Sequence, residues 1–195
     1  MNIAVTTTAA EGFPRRAFSV EDIRRMLDAG VLREDEKFEL VEGEIVMMAG
    51  RGIAHERIKS ALIIAVSRSL PENMTIGAEA TLRLTDRTML EPDISVFPKS
   101  LYDKSVSGFA QLDPGEARLV IEVAASSLSY DRGLKSRLYA RHRVAESWVI
   151  DANERVTWIH TGPNGEEWSS IIEHGPNQPP TTPALPGFSI CLADV

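Results

Sequence analysis

Cysteine, excess positive charge and long apolar runs are all scarce in this chain of 195 residues. A single cysteine, Cys191, excludes an internal disulfide framework and any zinc site built on several cysteines, and it fits a reducing cytoplasm. No apolar run approaches the roughly 20 residues that a membrane-spanning helix needs. The first residues also lack the basic start and apolar core of a secretory signal. We therefore expect a cytoplasmic protein with no membrane partner.

The net charge of −7 provides no general attraction to nucleic acid. It does not exclude an enzyme that acts on nucleic acid, because a basic groove can exist on an acidic protein and a bound cation neutralises an acidic site. Residues 1–14 are small and polar, with three consecutive threonines, and predict a flexible tail. Residues 15–195 are enough for one well-buried domain.

Apolar periodicity predicts an alternation of helices and strands along the chain. Ser19 and Asp22 have the spacing of a capping box, Gly30 is a helix stop, and Glu42-Gly43 marks a hairpin turn. The predicted helices are 19–29, 53–70 and 131–142, and the predicted strands are 38–41, 45–48, 75–84, 93–97, 118–124, 147–151, 155–160 and 168–172. A loop is expected over 99–117 and extended chain over 175–186. This order predicts an α/β fold with a mixed central sheet flanked by helices, preceded by an N-terminal helix and a β-hairpin.

Two of the apolar strands each contain one carboxylate where a buried strand should have none. Asp93 lies in the run 92–97 and Glu122 in the run 119–124, and the next predicted helix contains Lys135. A buried carboxylate is costly unless a metal, a proton or a cation compensates it. Phosphodiester hydrolysis needs a divalent cation and a positive group near the phosphate, and magnesium prefers one or two carboxylates. The pattern therefore indicates a small magnesium site built on a sheet.

Each of these residues also has a simpler structural interpretation. Glu122 could form a buried structural ion pair with Lys135 or Arg118, since such networks arise without catalysis. Asp93 could merely begin a strand at the surface. Asp131 and Lys135 have the spacing of an exposed salt bridge on a helix. The hypothesis of a metal site therefore depends on the combination of residues.

Two further residues are candidates for supporting roles. Tyr139 lies four positions after Lys135, a spacing that fits either packing against the sheet or a contact within the site. His55 lies at the start of the second helix, where it is either a polar residue at a helix end or a group able to exchange protons.

Seven segments of the sequence, including those that contain Asp93, Glu122 and Lys135, resemble the Uma-two family of endonucleases. This family belongs to the PD-(D/E)XK restriction-endonuclease-like superfamily. The resemblance extends from about residue 18 to the C-terminus, and the order and spacing of its segments are specific to the family. The segments are 38–45, 91–94, 121–124, 127–135, 138–141, 146–151 and 185–188.

The resemblance implies a restriction-endonuclease-like core with a metal site at one end of its central strands. It assigns Asp93 as the PD aspartate and Glu122 as the second carboxylate. The usual lysine two residues later is replaced by Ala124, so the resemblance implies that Lys135 on the following helix supplies the lysine. Glu39, in the first hairpin, resembles an additional acidic residue contributed by an N-terminal element.

Three functions remain open at this point. The first is a metal-dependent endonuclease that uses Mg²⁺ or Mn²⁺ at Asp93, Glu122 and Lys135 to cut DNA, with a homodimer expected because two symmetric sites cut two strands most simply. The second is a catalytically silent protein of the same fold that binds nucleic acid or a protein partner. The third is a structural interaction module, which predicts a fully desolvated Glu122–Lys135 contact without a path for substrate.

Overall fold

The structure is a computed structural model that describes residues 5–6, 15–33, 35–48, 50, 52–103, 105–106, 109–111, 113 and 115–195. The chain divides into two compact units. The first unit comprises Met1–Ala49, Thr81–Glu91 and Tyr102–Leu112. The second unit comprises Gly50–Ala80, Pro92–Leu101 and Asp113–Val195. The single domain expected over residues 15–195 stays a prediction.

The described residues of the first unit form a helix and mostly antiparallel strands. Its elements are β1 (Val5–Thr6), β2 (Arg15–Arg16), α1 (Val20–Asp28), β3 (Phe38–Val41), β4 (Glu44–Met47), β6 (Leu82–Thr85), β7 (Thr88–Leu90), β9 (Ser105–Val106) and β10 (Phe109–Gln111). Within the described residues β1 pairs with β2, and the other strands form a sheet of order β4-β3-β7-β6-β10-β9. Of the tail predicted for residues 1–14, the structure describes only β1; the rest lies outside the described residues.

Local chemistry accounts for the helix and the hairpin of the first unit. The Ser19 hydroxyl accepts the backbone N–H of Asp22 at 3.1 Å, and the Asp22 carboxylate accepts the N–H of Ser19 at 2.9 Å. This reciprocal capping box confirms the predicted helix start. Glu42 and Gly43, which join β3 to β4, have φ values of 50° and 92°, as a tight hairpin turn requires.

The second unit contains the central sheet. Its elements are α2 (Ile53–Arg68), β5 (Met74–Ala78), β8 (Ile94–Pro98), β11 (Leu119–Ala124), α3 (Leu128–Tyr130), a π-helical turn (Asp131–Lys135), α4 (Ser136–Arg141), β12 (Glu146–Asp151), β13 (Val156–Asn164), β14 (Glu167–His174) and a C-terminal 3₁₀ turn (Leu192–Asp194). A further 3₁₀ turn spans Lys99–Asp103. Among the described residues the sheet has the order β14-β13-β12-β11-β8-β5. Only β11 and β12 pair in parallel, so the sheet is mixed and the predicted fold class is confirmed.

The two faces of this sheet meet different helices. Ile121 and Trp148 are paired on β11 and β12 and share one core with Ile58 and Leu62 of α2. Because side chains alternate along a strand, Glu122 lies on the opposite face. The segment from α3 to α4 packs on that second face, where Lys135 reaches Glu122. The sheet is therefore flanked by helices on both sides, as predicted.

Several predicted boundaries were wrong. The single strand expected over 75–84 is two strands of different sheets, β5 and β6, because Glu79 between them has a φ of 52° that no strand residue adopts. The strand β7 was missed, as were β9, β10 and the 3₁₀ turn of Lys99–Asp103 inside the loop expected over 99–117. The third helical segment begins at Leu128, three residues earlier than predicted. No helix of the described residues is long and apolar enough to cross a membrane.

Glu146, the first residue of β12, is a second buried carboxyl of the sheet. Its Oε1 accepts the indole N–H of Trp148 at 2.5 Å, and its Oε2 accepts the hydroxyl of Thr182 at 2.7 Å. Burial raises the pKa of Glu146, and the two hydrogen bonds oppose this shift only in part. The folded protein therefore holds the Glu146 proton more tightly than the unfolded chain does.

Replacing Glu146 is expected to change the pH dependence of stability. In the unfolded chain the carboxyl titrates near its ordinary value of 4.5. The stability due to its raised pKa is fully present below that value and is lost as pH rises through the folded-state pKa. As pH rises above about 4.5, we expect Glu146→Gln, which cannot ionise, to lose less stability than the wild type, measured by urea unfolding. A difference between the two proteins that does not vary with pH would contradict this expectation.

Candidate active site

The two strand carboxylates lie at one end of the β8–β11 pair. Ile94 on β8 pairs with Ile121 on β11, and Asp93 and Glu122 are the residues directly beyond this last pair. The Oδ2 of Asp93 accepts the backbone N–H of Val123 at 2.8 Å. The Asp93 side chain thereby bonds to the residue next to Glu122 at the point where the pairing of the two strands ends. Asp93 does not lie at the surface, since it is only 3% exposed.

Glu122 accepts two side-chain hydrogen bonds from the segment that runs from α3 to α4 and packs on the second face of the sheet. Its Oε1 lies 2.7 Å from the Nζ of Lys135 and 2.5 Å from the hydroxyl of Tyr139, which donates to it. Asp131 contributes a second carboxylate, 3.9 Å from the same Nζ, and accepts the hydroxyl of Ser127 at 2.6 Å. The structure thus brings the predicted Lys135, Asp131 and Tyr139 together around Glu122.

A π-helical turn positions these helical residues. The backbone N–H of Ser136 donates to the carbonyl of Asp131, five residues earlier, inside a segment that is otherwise α-helical. π-Turns occur mostly as single wide turns inside helices, frequently at functional sites. Here both Asp131 and Lys135 are buried against the sheet, so their ion pair is not the exposed helix salt bridge that their spacing suggested.

His55, at the start of α2, reaches the other carboxylate. Its Nε2 lies 2.9 Å from the Oδ1 of Asp93, and its Nδ1 lies 3.2 Å from the Oε1 of Glu56. The imidazole is 4% exposed. His55 is therefore a partner of Asp93 rather than only a polar helix end.

A charged network beside His55 was not predicted from the sequence. Lys59, one helical turn after His55, is hydrogen-bonded to Glu56 at 2.8 Å and to Glu79. Burial opposes the charge on Lys59, but the hydrogen bonds to the two glutamates outweigh it and raise the lysine pKa. The backbone N–H of Glu79 also donates to the carbonyl of Asp93 at 3.1 Å. The sequence signal that could have indicated this network is the position of His55, Glu56 and Lys59 within about one turn of the predicted second helix.

Glu39 belongs to the first unit. It lies on β3, is fully buried, and accepts the backbone N–H of Glu91 at 2.8 Å through its Oε1. Its assignment as an additional acidic residue of the site stays a prediction.

The donor chemistry of Asp93 and Glu122 fits a magnesium ion. Magnesium takes one or two protein carboxylates and completes its octahedron with waters and substrate oxygens. In the described part of the chain no group of three or more His, Cys, Asp or Glu side chains could hold a metal ion. Asp93 and Glu122 supply two carboxylates, and Mn²⁺ accepts the same oxygen ligands as Mg²⁺.

The Glu122–Lys135 contact is strongly desolvated. Glu122 is 3% exposed and Lys135 is 1% exposed. Two opposite charges removed from water in this way stabilise each other only when both are present, because either one alone would be a buried, uncompensated charge. The third function left open by the sequence, a structural interaction module, also predicts that this contact is desolvated.

The family model Uma2, described as "Putative restriction endonuclease", matches residues 20–193. The chain belongs to the Uma2 family. Among solved structures, this Uma2 chain is similar to the crystal structure of "a putative nuclease belonging to DUF820" from Anabaena variabilis. The two share 18% sequence identity with a TM-score of 0.67, over 86% of this chain and 93% of the other, which establishes a common fold. No curated protein matches the Uma2 chain.

Proposed function

We propose that this Uma2 protein is a metal-dependent endonuclease that hydrolyses phosphodiester bonds of DNA. The observation that carries the proposal is the cluster at one end of the β8–β11 pair, which we call the carboxylate–lysine site and define as Asp93, Glu122 and Lys135. The needs of phosphodiester hydrolysis are matched by a carboxylate on β11, a second carboxylate directly before the neighbouring strand β8, and a lysine 2.7 Å from the first. Membership of a family described as a restriction endonuclease supports the same reaction.

Asp93 and Glu122 would hold Mg²⁺ or Mn²⁺. When bound, such an ion polarises the phosphate and lowers the pKa of a water molecule. Lys135 supplies the positive charge that offsets the negative charge of the phosphate in the transition state, or it orients the attacking water.

Neighbouring residues hold these three side chains in position. Tyr139 donates to the same Glu122 oxygen that Lys135 contacts and thereby fixes the carboxylate. His55 fixes Asp93 in the same way through its Nε2. Asp131 keeps a second negative charge beside Lys135.

A cleavage assay tests the proposal. We expect the wild-type protein to cut plasmid and linear duplex DNA when Mg²⁺ or Mn²⁺ is added and to be inactive in excess chelator. The same ions should raise the midpoint of thermal unfolding, because a ligand that binds only the folded state stabilises it. Absence of both cleavage and thermal stabilisation with either ion would refute the proposal.

A catalytically silent protein that binds nucleic acid or a protein partner is the second candidate. The net charge of −7 favours it, whereas the desolvated Glu122–Lys135 contact is what the structural interaction module predicts. This candidate predicts no cleavage, and it predicts no thermal stabilisation by Mg²⁺.

The assembly that we propose for the endonuclease is a cytoplasmic homodimer. Two symmetric sites allow one complex to cut both strands of a duplex. Light scattering during size-exclusion chromatography measures the assembly directly, and a monomer at all accessible concentrations would refute the dimer.

A further inference from the structure

Arg132 lies on the second face of the central sheet, on the helical segment that also contains Lys135. Its guanidinium carbon is 3.8 Å from the centroid of the Trp158 ring, on β13. The Trp158 indole is itself fixed, because its N–H donates to the Oε2 of Glu173 at 2.9 Å. Arginine stacks on aromatic rings in this manner while the N–H groups in its plane remain directed outward.

Strand register relates this arginine to the carboxylate–lysine site. Glu122 pairs with Val149 on β12, and Val149 pairs with Trp158 on β13. Residues paired across neighbouring strands share a face, so the three side chains form one row. Neighbouring strands lie about 4.8 Å apart, which places the Trp158 position about 10 Å from the Glu122 position. The helical segment crosses this row, with Lys135 over one end and Arg132 over the other.

Arg132 is exposed, and within the described part of the chain no carboxylate forms an ion pair with it; the Glu173 carboxylate nearby accepts the Trp158 N–H. The exposed Arg25 and Arg33 are paired with Glu21 and Asp35, whereas the exposed Arg68 has no ion pair in the described residues but lies on the opposite face. In a protein with a net charge of −7, an unpaired arginine held on an aromatic ring provides a local site for an anion.

We propose that Arg132, held on Trp158, binds a DNA phosphate that flanks the phosphate at the carboxylate–lysine site. This inference rests on the proposed function, because it names the group through which the same site holds its substrate. The planar guanidinium presents paired N–H donors that match a phosphate. Stacking on Trp158 fixes the side chain beforehand, which lowers the entropy lost on binding.

Binding of DNA by variants tests the inference separately from cleavage. The probe is a short fluorescein-labelled duplex of random sequence, titrated with protein in chelator and followed by fluorescence anisotropy. We expect Arg132→Ala to weaken binding roughly tenfold and to reduce the magnitude of the slope of log K against log salt by about one, as loss of one phosphate contact requires. Arg132→Lys should bind more weakly than the wild type, because lysine keeps the charge but loses the planar stacked fork.

Arg68→Ala is the matched control. Arg68 is the exposed last residue of α2, the helix on the opposite face, so its removal changes the net charge equally without touching the Trp158 ring. Equal affinity and salt slope for Arg132→Ala and Arg68→Ala would overturn the phosphate site while leaving the proposed function intact. Wild-type affinity of Arg132→Lys would overturn the role of stacking on Trp158. Absence of salt-dependent binding by the wild type would overturn both the phosphate site and the proposed substrate.

Discussion

Glu122→Gln is expected to lose at least about a hundredfold of the metal-dependent cleavage of DNA, because the variant removes a charged oxygen ligand while preserving the shape of the side chain. The amide oxygen can still accept a hydrogen bond from Tyr139 or from Lys135. The measurement is the initial rate of plasmid nicking at saturating Mg²⁺. Asp93→Asn should show a loss of the same order, since its amide oxygen can still accept the N–H of Val123.

Glu146→Gln is the control for these cleavage measurements. It makes the same change in another buried carboxyl of the same sheet, and the partners of Glu146 are Trp148 and Thr182 rather than the site residues. We expect its cleavage rate to equal that of the wild type. Equal losses in Glu122→Gln and Glu146→Gln would show that the losses arise from a disturbed sheet and would count against a catalytic role for Glu122.

Lys135→Met is expected to lower the free energy of unfolding by about 3–5 kcal/mol, since it leaves a buried carboxylate without its cation. Glu122 loses the Nζ at 2.7 Å, and Asp131 loses the same group at 3.9 Å. Methionine has a similar length and fills the space, so the loss reports the missing charge rather than a cavity. Urea unfolding monitored by circular dichroism at neutral pH measures the change.

The double variant Glu122→Gln with Lys135→Met should recover much of this loss, because no unpaired carboxylate then remains at position 122. If the double variant is as unstable as the sum of the two single variants, the pair is not coupled and the electrostatic explanation is wrong. Thermal unfolding of the same variants with and without Mg²⁺ distinguishes the endonuclease from the silent protein. A thermal shift in the wild type that Glu122→Gln loses supports the endonuclease, whereas a stable pair without any shift supports the silent protein.

Much of the fold could be predicted from local signals in the sequence. The capping box at Ser19, the stop at Gly30 and the hairpin turn at Glu42-Gly43 depend on residues only a few positions apart, and all three are present. The strand β11 was recognisable because it is apolar on both faces, as a strand covered by helices on both sides must be.

Elements that depend on distant partners could not be predicted in this way. The alternating pattern of residues 75–84 continues through Glu79, although the chain leaves one sheet there and joins another. The strands β7 and β10 have three residues each, too few for a periodic pattern, and they exist because neighbouring strands pair with them.

The candidate site was likewise predictable where the signal is local and not predictable where it depends on distant residues. Asp93 and Glu122 were noticeable because a carboxylate is out of place in an apolar strand, and Lys135 was then suggested by resemblance. No local pattern specified that His55 meets Asp93, since 38 positions separate them in sequence. The stacking of Arg132 on Trp158 likewise depends on the register of three strands.

The π-helical turn has a consequence for how such proteins are recognised. One wide turn shifts every later residue around the helix axis by about a hundred degrees, the rotation of one residue in an α-helix. Lys135, the last residue of this turn, meets a carboxylate that precedes it by 13 positions. A search for a carboxylate and a lysine at a fixed short interval passes over this chain. A search that accepts any lysine on the helix after the carboxylate strand would find it, because the contact depends on where that helix packs and not on a fixed interval in sequence.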